Sequence, residues 1–335
     1  MTIYDISEKA GVSIATVSRV LNGSKNVSEK TKQKVLDVIQ KYEYTPNAFA
    51  RGLGLNTMKT IGFLCADSSD IYTSKAIYYL EELLRQNHYN SILCCSGYDL
   101  TDRQNSMNLL LGQKVDAIIL VGSSYVYDNA EDNRYIIDAA SRTPIIVMNA
   151  SLKADNVYSV FSNDMASVYE ATLDMVNSGI KDILFFYNTH SYSCTRKLEG
   201  FCKAMEAAGI PLREEMLRFY QGSHEDIPAM AADLKEAADS GITFRGIIAA
   251  DDMLALGAVK YAHEQNILIP EDLSIIGYNN SMLTRICQPE LTSIDNHLET
   301  LCEHMITILL GILNGEEMPT ESMIIGELVK RGTTK

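Results

Sequence analysis

From Thr60 onward the chain repeats one pattern, a short apolar run followed by a longer helix-forming stretch. Strand-like runs fall at Ile61–Cys65, Ser91–Cys95, Ala117–Val121, Pro144–Met148, Val157–Phe161, Ile183–Tyr187, Gly246–Ala250 and Leu273–Ile276. Helix-like stretches between them include Tyr78–Gln86, Ser167–Ser178 and Leu198–Ala208. Strands that are apolar on both faces need helices above and below them, so the pattern predicts an α/β fold of doubly wound parallel sheets. Ligands of such folds bind outside the carboxyl ends of the strands. With 335 residues, 46% of them hydrophobic, two to three structural units are expected.

The first 45 residues follow a different rule. Thr2 is placed to cap a helix running to about Ala10, and Gly11 supplies a sharp turn. Ser13 then caps a second helix ending near Asn22 and Gly23. In it Val17, Val20 and Leu21 share an inward face, while Ala15, Ser18, Arg19 and Asn22 share the outward one. Val27 and Ser28 open a third helix with Val35, Val38, Ile39 and Tyr42 inward. The outward face of the second helix is small, polar and singly basic, which suits close approach to base edges. Charge agrees. Residues 1–58 hold eight basic and five acidic side chains, a net +3 on a chain of net charge −14. A basic head on an acidic body docks on phosphate by one end only.

The residues of this head, Tyr4-Asp5-Ile6, Ala10-Gly11-Val12-Ser13 and Thr16-Val17-Ser18-Arg19-Val20-Leu21-Asn22, closely resemble the headpiece of the lactose-repressor (LacI/GalR) family. Val27-Ser28, Thr31 and Val35 extend the match, and it continues to Pro289–Ile294 and the closing Leu328–Thr334. The resemblance implies a helix-turn-helix head over 1–45, a hinge over 46–58, and a body over 59–335 like a two-lobed periplasmic binding protein. Its first lobe is expected at about 59–160 and 291–320, and its second at about 161–290 and 321–335. It also implies a homodimer on a near-palindromic operator, with a small carbohydrate-like effector between the lobes and no cofactor. Ile14, Ala15 and Arg19 match the base readers. DNA contacts are also expected from Thr2, Ser13, Thr16, Ser18 and Asn22, and in the hinge from Asn47, Ala50 and Leu53, the last matching a leucine that wedges into the minor groove. In the cleft the expected effector contacts are Asp67, Ser69, Tyr72, Ser123, Asn149, Arg196, Lys197, Asp252 and Asn279. Two positions depart from the family: Lys197 stands where an arginine is usual, and Asn279 where an acid is usual. A lysine cannot make the planar fork of an arginine.

Other classes fit poorly. There is no Walker loop, G-x-S-x-G or H-E-x-x-H, and Asp251 and Asp252, read as strand neighbours, point apart, so catalysis is not expected. The 7 cysteines are dispersed without a C-x-x-C pair, which reads as reduced, mostly buried thiols and no metal site. No apolar run spans a membrane and no export signal opens the chain, so a cytoplasmic location is expected. The alternative to a small effector is a regulator gated by a protein corepressor of the phosphocarrier type, docking on the acidic body.

Overall fold

The computed structural model describes residues 1–21, 24, 26–44 and 57–335. The expected contacts Asn22, Asn47, Ala50 and Leu53 lie outside these residues.

The head is three helices, α1 (Ile3–Ala10), α2 (Ile14–Leu21) and α3 (Glu29–Lys41). Local chemistry sets their ends. Thr2 and Asp5 form a reciprocal capping box, with the Asp5 amide donating to Thr2 Oγ1 and the Thr2 amide to Asp5. Gly11 closes α1 at a left-handed φ of 57°. Ser13 Oγ accepts from the Thr16 amide at 3.2 Å, and Ser28 Oγ from the Thr31 amide at 3.3 Å. Each such cap stabilises its helix by about 1 kcal/mol. Ile6, Ala10, Val17, Val20 and Val35 are buried together, with Val27, Val38 and Ile39 packed against them. Tyr42 departs from its expected inward place. It follows the end of α3, is 38% exposed, and carries the ammonium groups of Lys9 and Lys41 over its ring.

The body begins at Thr57. The Thr57 hydroxyl and the Met58 and Thr60 amides all donate to Asp116, at 2.9–3.0 Å. The first lobe then runs through β1 (Thr60–Cys65), α4 (Ile71–Gln86), β2 (Asn90–Cys95), α5 (Leu100–Gly112), β3 (Ala117–Val121), α6 (Arg134–Ala140), β4 (Ile145–Met148) and β5 (Val157–Ser162). The chain crosses at Asn163 into the second lobe: α7 (Asp164–Asn177), β6 (Ile183–Tyr187), α8 (Tyr192–Ala207), β7 (Leu217–Phe219), α9 (Ile227–Asp239), β8 (Gly246–Ala249), α10 (Asp252–Glu264), β9 (Ser274–Tyr278), α11 (Leu283–Ile286) and β10 (Thr292–Asp295). It returns for α12 (Leu298–Leu313) and β11 (Glu321–Ile324), then ends with β12 (Glu327–Val329) in the second lobe.

The sheets have six strands each, ordered β11-β5-β4-β3-β1-β2 and β12-β10-β9-β8-β6-β7. All pairings are parallel except β10 with β12. The period of two explains why both faces are apolar. Ile61, Phe63 and Cys65 of β1 pack with Leu80 and Leu84 of α4 and with α12, while Leu64 faces Leu110 of α5 on the other side. In the second lobe α7 and α8 approach closely. A Cβ on Gly200 would lie 2.2 Å from the Met165 carbonyl oxygen, so only glycine fits there.

Two expectations are corrected. β10 belongs to the second sheet and β11 to the first, so the later crossings fall at Asn296 and at Ile325–Gly326 rather than at 291 and 321. Backbone pairing decides this: β10 bonds β9, and β11 bonds β5. Burial of the thiols is also less than expected, since Cys65, Cys194 and Cys302 are buried but Cys95 is exposed. No helix among the described residues is long and apolar enough to cross a membrane.

Candidate functional site

Two surfaces stand out. The first is the outer face of α2. Ala15 and Arg19 are exposed there, Ile14 is 39% exposed, and Thr16 and Ser18 are half-buried beside them. Val17 and Val20, on the opposite face, anchor α2 to α1 and α3. The hydroxyls of Thr2, Ser13 and Thr16 are engaged in capping contacts, Ser13 with Thr16 at 2.9 Å, so they first serve to start helices.

The second is a cleft of about 1000 Å³ between the lobes. The carboxyl ends of β1, β3 and β4 face it from one lobe, and those of β6, β8 and β9 from the other. Asp67, Ser69, Tyr72, Ser123, Asn149, Lys197, Asp252 and Asn279 all line it. Arg196 does not. It is exposed on α8, pairs with Glu199 at 2.8 Å and lies over the Tyr192 ring. One residue along a helix turns a side chain by about 100°, so Arg196 and Lys197 cannot share a face.

Several of the lining residues are already committed to the protein. Ser123 joins the lobes, its hydroxyl donating to Ser191 Oγ at 3.1 Å and its carbonyl accepting from the Tyr192 amide at 3.3 Å. At the floor, Tyr72 Oη of α4 accepts from Asn149 Nδ2 at 2.7 Å and from Asn296 Nδ2 at 3.1 Å. Asn296 Nδ2 also donates to Asn279 Oδ1 at 3.1 Å, so this chain of amides runs from one lobe to the other. Lys197 is only 7% exposed. Its ammonium donates to the Ala250 carbonyl at 2.8 Å and sits 3.6 Å from the centroid of the Tyr278 ring. Asp164, bonded by the Tyr278 hydroxyl, lies beside this group; burial raises its pKa, partly offset by the Lys197 charge.

The neighbouring acids play roles the sequence did not separate. They straddle the start of α10 rather than lying on a strand. Asp252, favoured as a ligand contact, is 2% exposed and bonded within its own lobe, to the Ser293 hydroxyl at 2.6 Å and the Ser281 amide at 2.7 Å. Burial pushes its pKa up to about 6. Asp251, which drew no expectation as a ligand contact, caps α10 through the Leu254 amide at 2.8 Å and binds His224 Nε2 at 2.8 Å. Burial alone would raise the Asp251 pKa, but the His224 contact holds it below the usual value. The bond to Asp251 raises the His224 pKa to about 9 against the cost of burial, and the Asp70 charge across the cleft adds to the effect. An Asp followed by an apolar helix is a legible N-cap signal that could have found Asp251; nothing local pairs His224 with it.

This pair gives a prediction. A folded-state pKa above the unfolded value of about 6.5 means that the stabilising contribution is complete below that value and is lost as pH rises through about 9. Denaturant stability should therefore decline between pH 7 and 10 in a step that His224→Asn removes. The same slope in wild type and variant would refute the assignment.

Comparison with known proteins bears on both surfaces. Residues 2–47 match the family "Bacterial regulatory proteins, lacI family", and residues 174–334 match a periplasmic binding protein-like domain. An HTH-type transcriptional regulator of Lachnoclostridium phytofermentans is 48% identical over 334 residues, covering 100% of this chain and 99% of that one. Among solved structures, the lac repressor dimer bound to operator and the anti-inducer ONPF superposes with a TM-score of 0.87 at 22% identity, covering 100% and 99% of the two chains. A complex of the transcriptional regulator CelR with cellobiose gives 0.72 at 22% identity, covering 99% of each.

Proposed function

Because the chain belongs to the lacI family of bacterial regulatory proteins, we propose that it is a homodimeric repressor whose two heads bind a near-palindromic operator and whose interlobe cleft takes a carbohydrate effector. The carrying observation is the place of β3. Asp116, immediately before it, holds Thr57 and Met58, where the linker from the head enters. Ser123, just beyond its other end, lines the cleft and bonds the second lobe. One buried strand, about 17 Å long, thus joins the linker anchor to the effector site. A ligand that alters the bond between Ser123 and Ser191 changes the angle between lobes, and with it the spacing of the two linkers in a dimer. Linkage then requires operator and effector to alter each other's affinity by the same factor. The cleft favours a small effector over a corepressor protein, since it is a cavity of about 1000 Å³ lined from both lobes.

The test uses purified protein alone. Operator affinity by fluorescence anisotropy should shift about 5- to 150-fold when a cleft ligand, cellobiose being the first probe, is added. Ser123→Ala removes the bond between the lobes, so it should change operator affinity without ligand and reduce the further shift on adding ligand. An operator affinity that responds only when a second protein is supplied would favour the corepressor reading instead.

A further inference from the structure

We propose that the cleft selects a donor-rich ligand without negative charge, either an uncharged polyhydroxylated compound or one bearing an amine, and rejects phosphorylated or carboxylated ligands. This rests on the reading of the cleft as the effector site and deepens it.

Two independent features carry the inference. The first is how charge is divided between the surface of the cleft and its walls. Asp67 and Asp70 line it from the first lobe, and Glu225 and Asp251 from the second. Asp67 Oδ1 accepts from the Ser69 amide and hydroxyl, and Asp70 Oδ1 from the Thr73 amide. Each acid has its second oxygen outside these bonds. The cations are placed differently. Lys197 is buried, with its ammonium on the Ala250 carbonyl and the Tyr278 ring. His224 is matched by Asp251, so that pair brings no net charge. Arg103, behind the Ser123–Ser124 wall, is 2% exposed and donates to Ser124 Oγ, Tyr127 Oη and the carbonyls of Gly97 and Ser124. Among the described lining residues, no cation is both exposed and free of a carboxylate. An entering anion meets carboxylates without gaining a fork or an ammonium in return.

The second feature is an unpaired buried acceptor at the floor. The side-chain oxygens of Asn149 and Asn296, residues 7% and 2% exposed, have no hydrogen-bond partner among the described residues. Both amide nitrogens are directed at Tyr72 Oη, whose own O–H has no acceptor among the described residues. Turning the Asn149 amide would pair that O–H with Asn149 Oδ1, whereas Asn296 is fixed by its second bond to Asn279 Oδ1, so Asn296 Oδ1 is the acceptor left over. Buried acceptors left unpaired are costly, and what relieves them is a donor. Hydroxyl and ammonium groups supply donors; a phosphate dianion supplies only acceptors.

The experiment exploits the lack of tryptophan in the chain. Tyr98 lines the cleft and is 68% exposed, so Tyr98→Trp places a single tryptophan there, excited beyond the absorption of the tyrosines. Its quenching by caesium and by iodide, each relative to neutral acrylamide, reads the local potential. Caesium should exceed iodide at least about threefold, and Asp67→Asn with Asp70→Asn should narrow the difference; asparagine caps α4 as well as aspartate does, so the fold is kept. Equal quenching by the two ions, or a ratio unmoved by the double variant, overturns the proposal. In parallel, calorimetry on the unmodified protein compares cellobiose, glucose, glucosamine and glucose 6-phosphate. A phosphorylated sugar binding more tightly than its parent also overturns it. Failure of every sugar to bind, with the quenching pattern as expected, sinks the carbohydrate reading of the cleft and leaves the charge rule standing.

Discussion

Arg19→Ala should weaken operator binding by roughly 30-fold to 10⁴-fold without lowering stability. Arg19 is exposed in the last turn of α2 and is its one basic residue. A bidentate arginine contact to a guanine discriminates by about 1–3 kcal/mol, and a dimer makes the contact twice, so about 2–6 kcal/mol is at stake. The rest of the outer face offers the small side chains of Ala15 and Ser18, which shape the fit but supply no comparable fork. Anisotropy titrations must be made at one fixed salt concentration, because phosphate contacts make every affinity salt-dependent. Lys75→Ala, an exposed cation on the body, is the control for a general loss of charge. A loss below tenfold for Arg19→Ala, or an equal loss for both variants, would show that α2 does not read bases through this residue.

Arg103→Met should destabilise the first lobe by about 3–5 kcal/mol and weaken effector binding as well. Arg103 is among the largest fully buried side chains, and no carboxylate among the described residues lies within ion-pair distance of it. Hydrogen bonds to neutral oxygens and the faces of Tyr125 and Tyr127, 4.7 and 5.4 Å from the guanidinium carbon, take the place of a counter-ion. These partners belong to the loop that follows β3, which carries Ser123 and Ser124 into the cleft. Methionine fills part of the volume but leaves the Ser124 carbonyl and the Tyr127 hydroxyl without donors. Arg103→Lys keeps the charge and loses the fork, so it should fall between the two in urea denaturation. If Arg103→Met unfolds at the wild-type midpoint, the loop is held by something other than Arg103.

Much of the site could be placed before the fold was known, but its internal assignments could not. Strand ends were legible because apolar runs stop where the chain turns, and the family resemblance put Asp67, Ser123, Asn149 and Asn279 near one cleft. The choice between Arg196 and Lys197 was not legible. Both are cations on one helix, and only the packing of α8 on α7 at Gly200 decides which of them turns inward. Asp251 and Asp252 were mistaken for strand neighbours because β8 ends at Ala249, one residue earlier than its apolar run suggests. His224 sits in a loop without periodicity. Its partners Asp251 and Asp70 are distant in sequence, so no window of residues contains the interaction.

The sequence by itself determined the three capped helices of the head, the alternation that makes parallel sheets, and the family to which both belong. Those features depend on neighbours within a few residues: a hydroxyl three places before an amide, a glycine at a left-handed turn, a period of two. Only the tertiary structure decided that β10 joins the second sheet and β11 the first, that Lys197 is buried beneath the cleft while Arg196 faces away, and that Arg103 is enclosed without a counter-ion. Each of these follows from which distant segment supplies a hydrogen-bond partner or excludes water, and that is settled when the lobes pack, not along the chain.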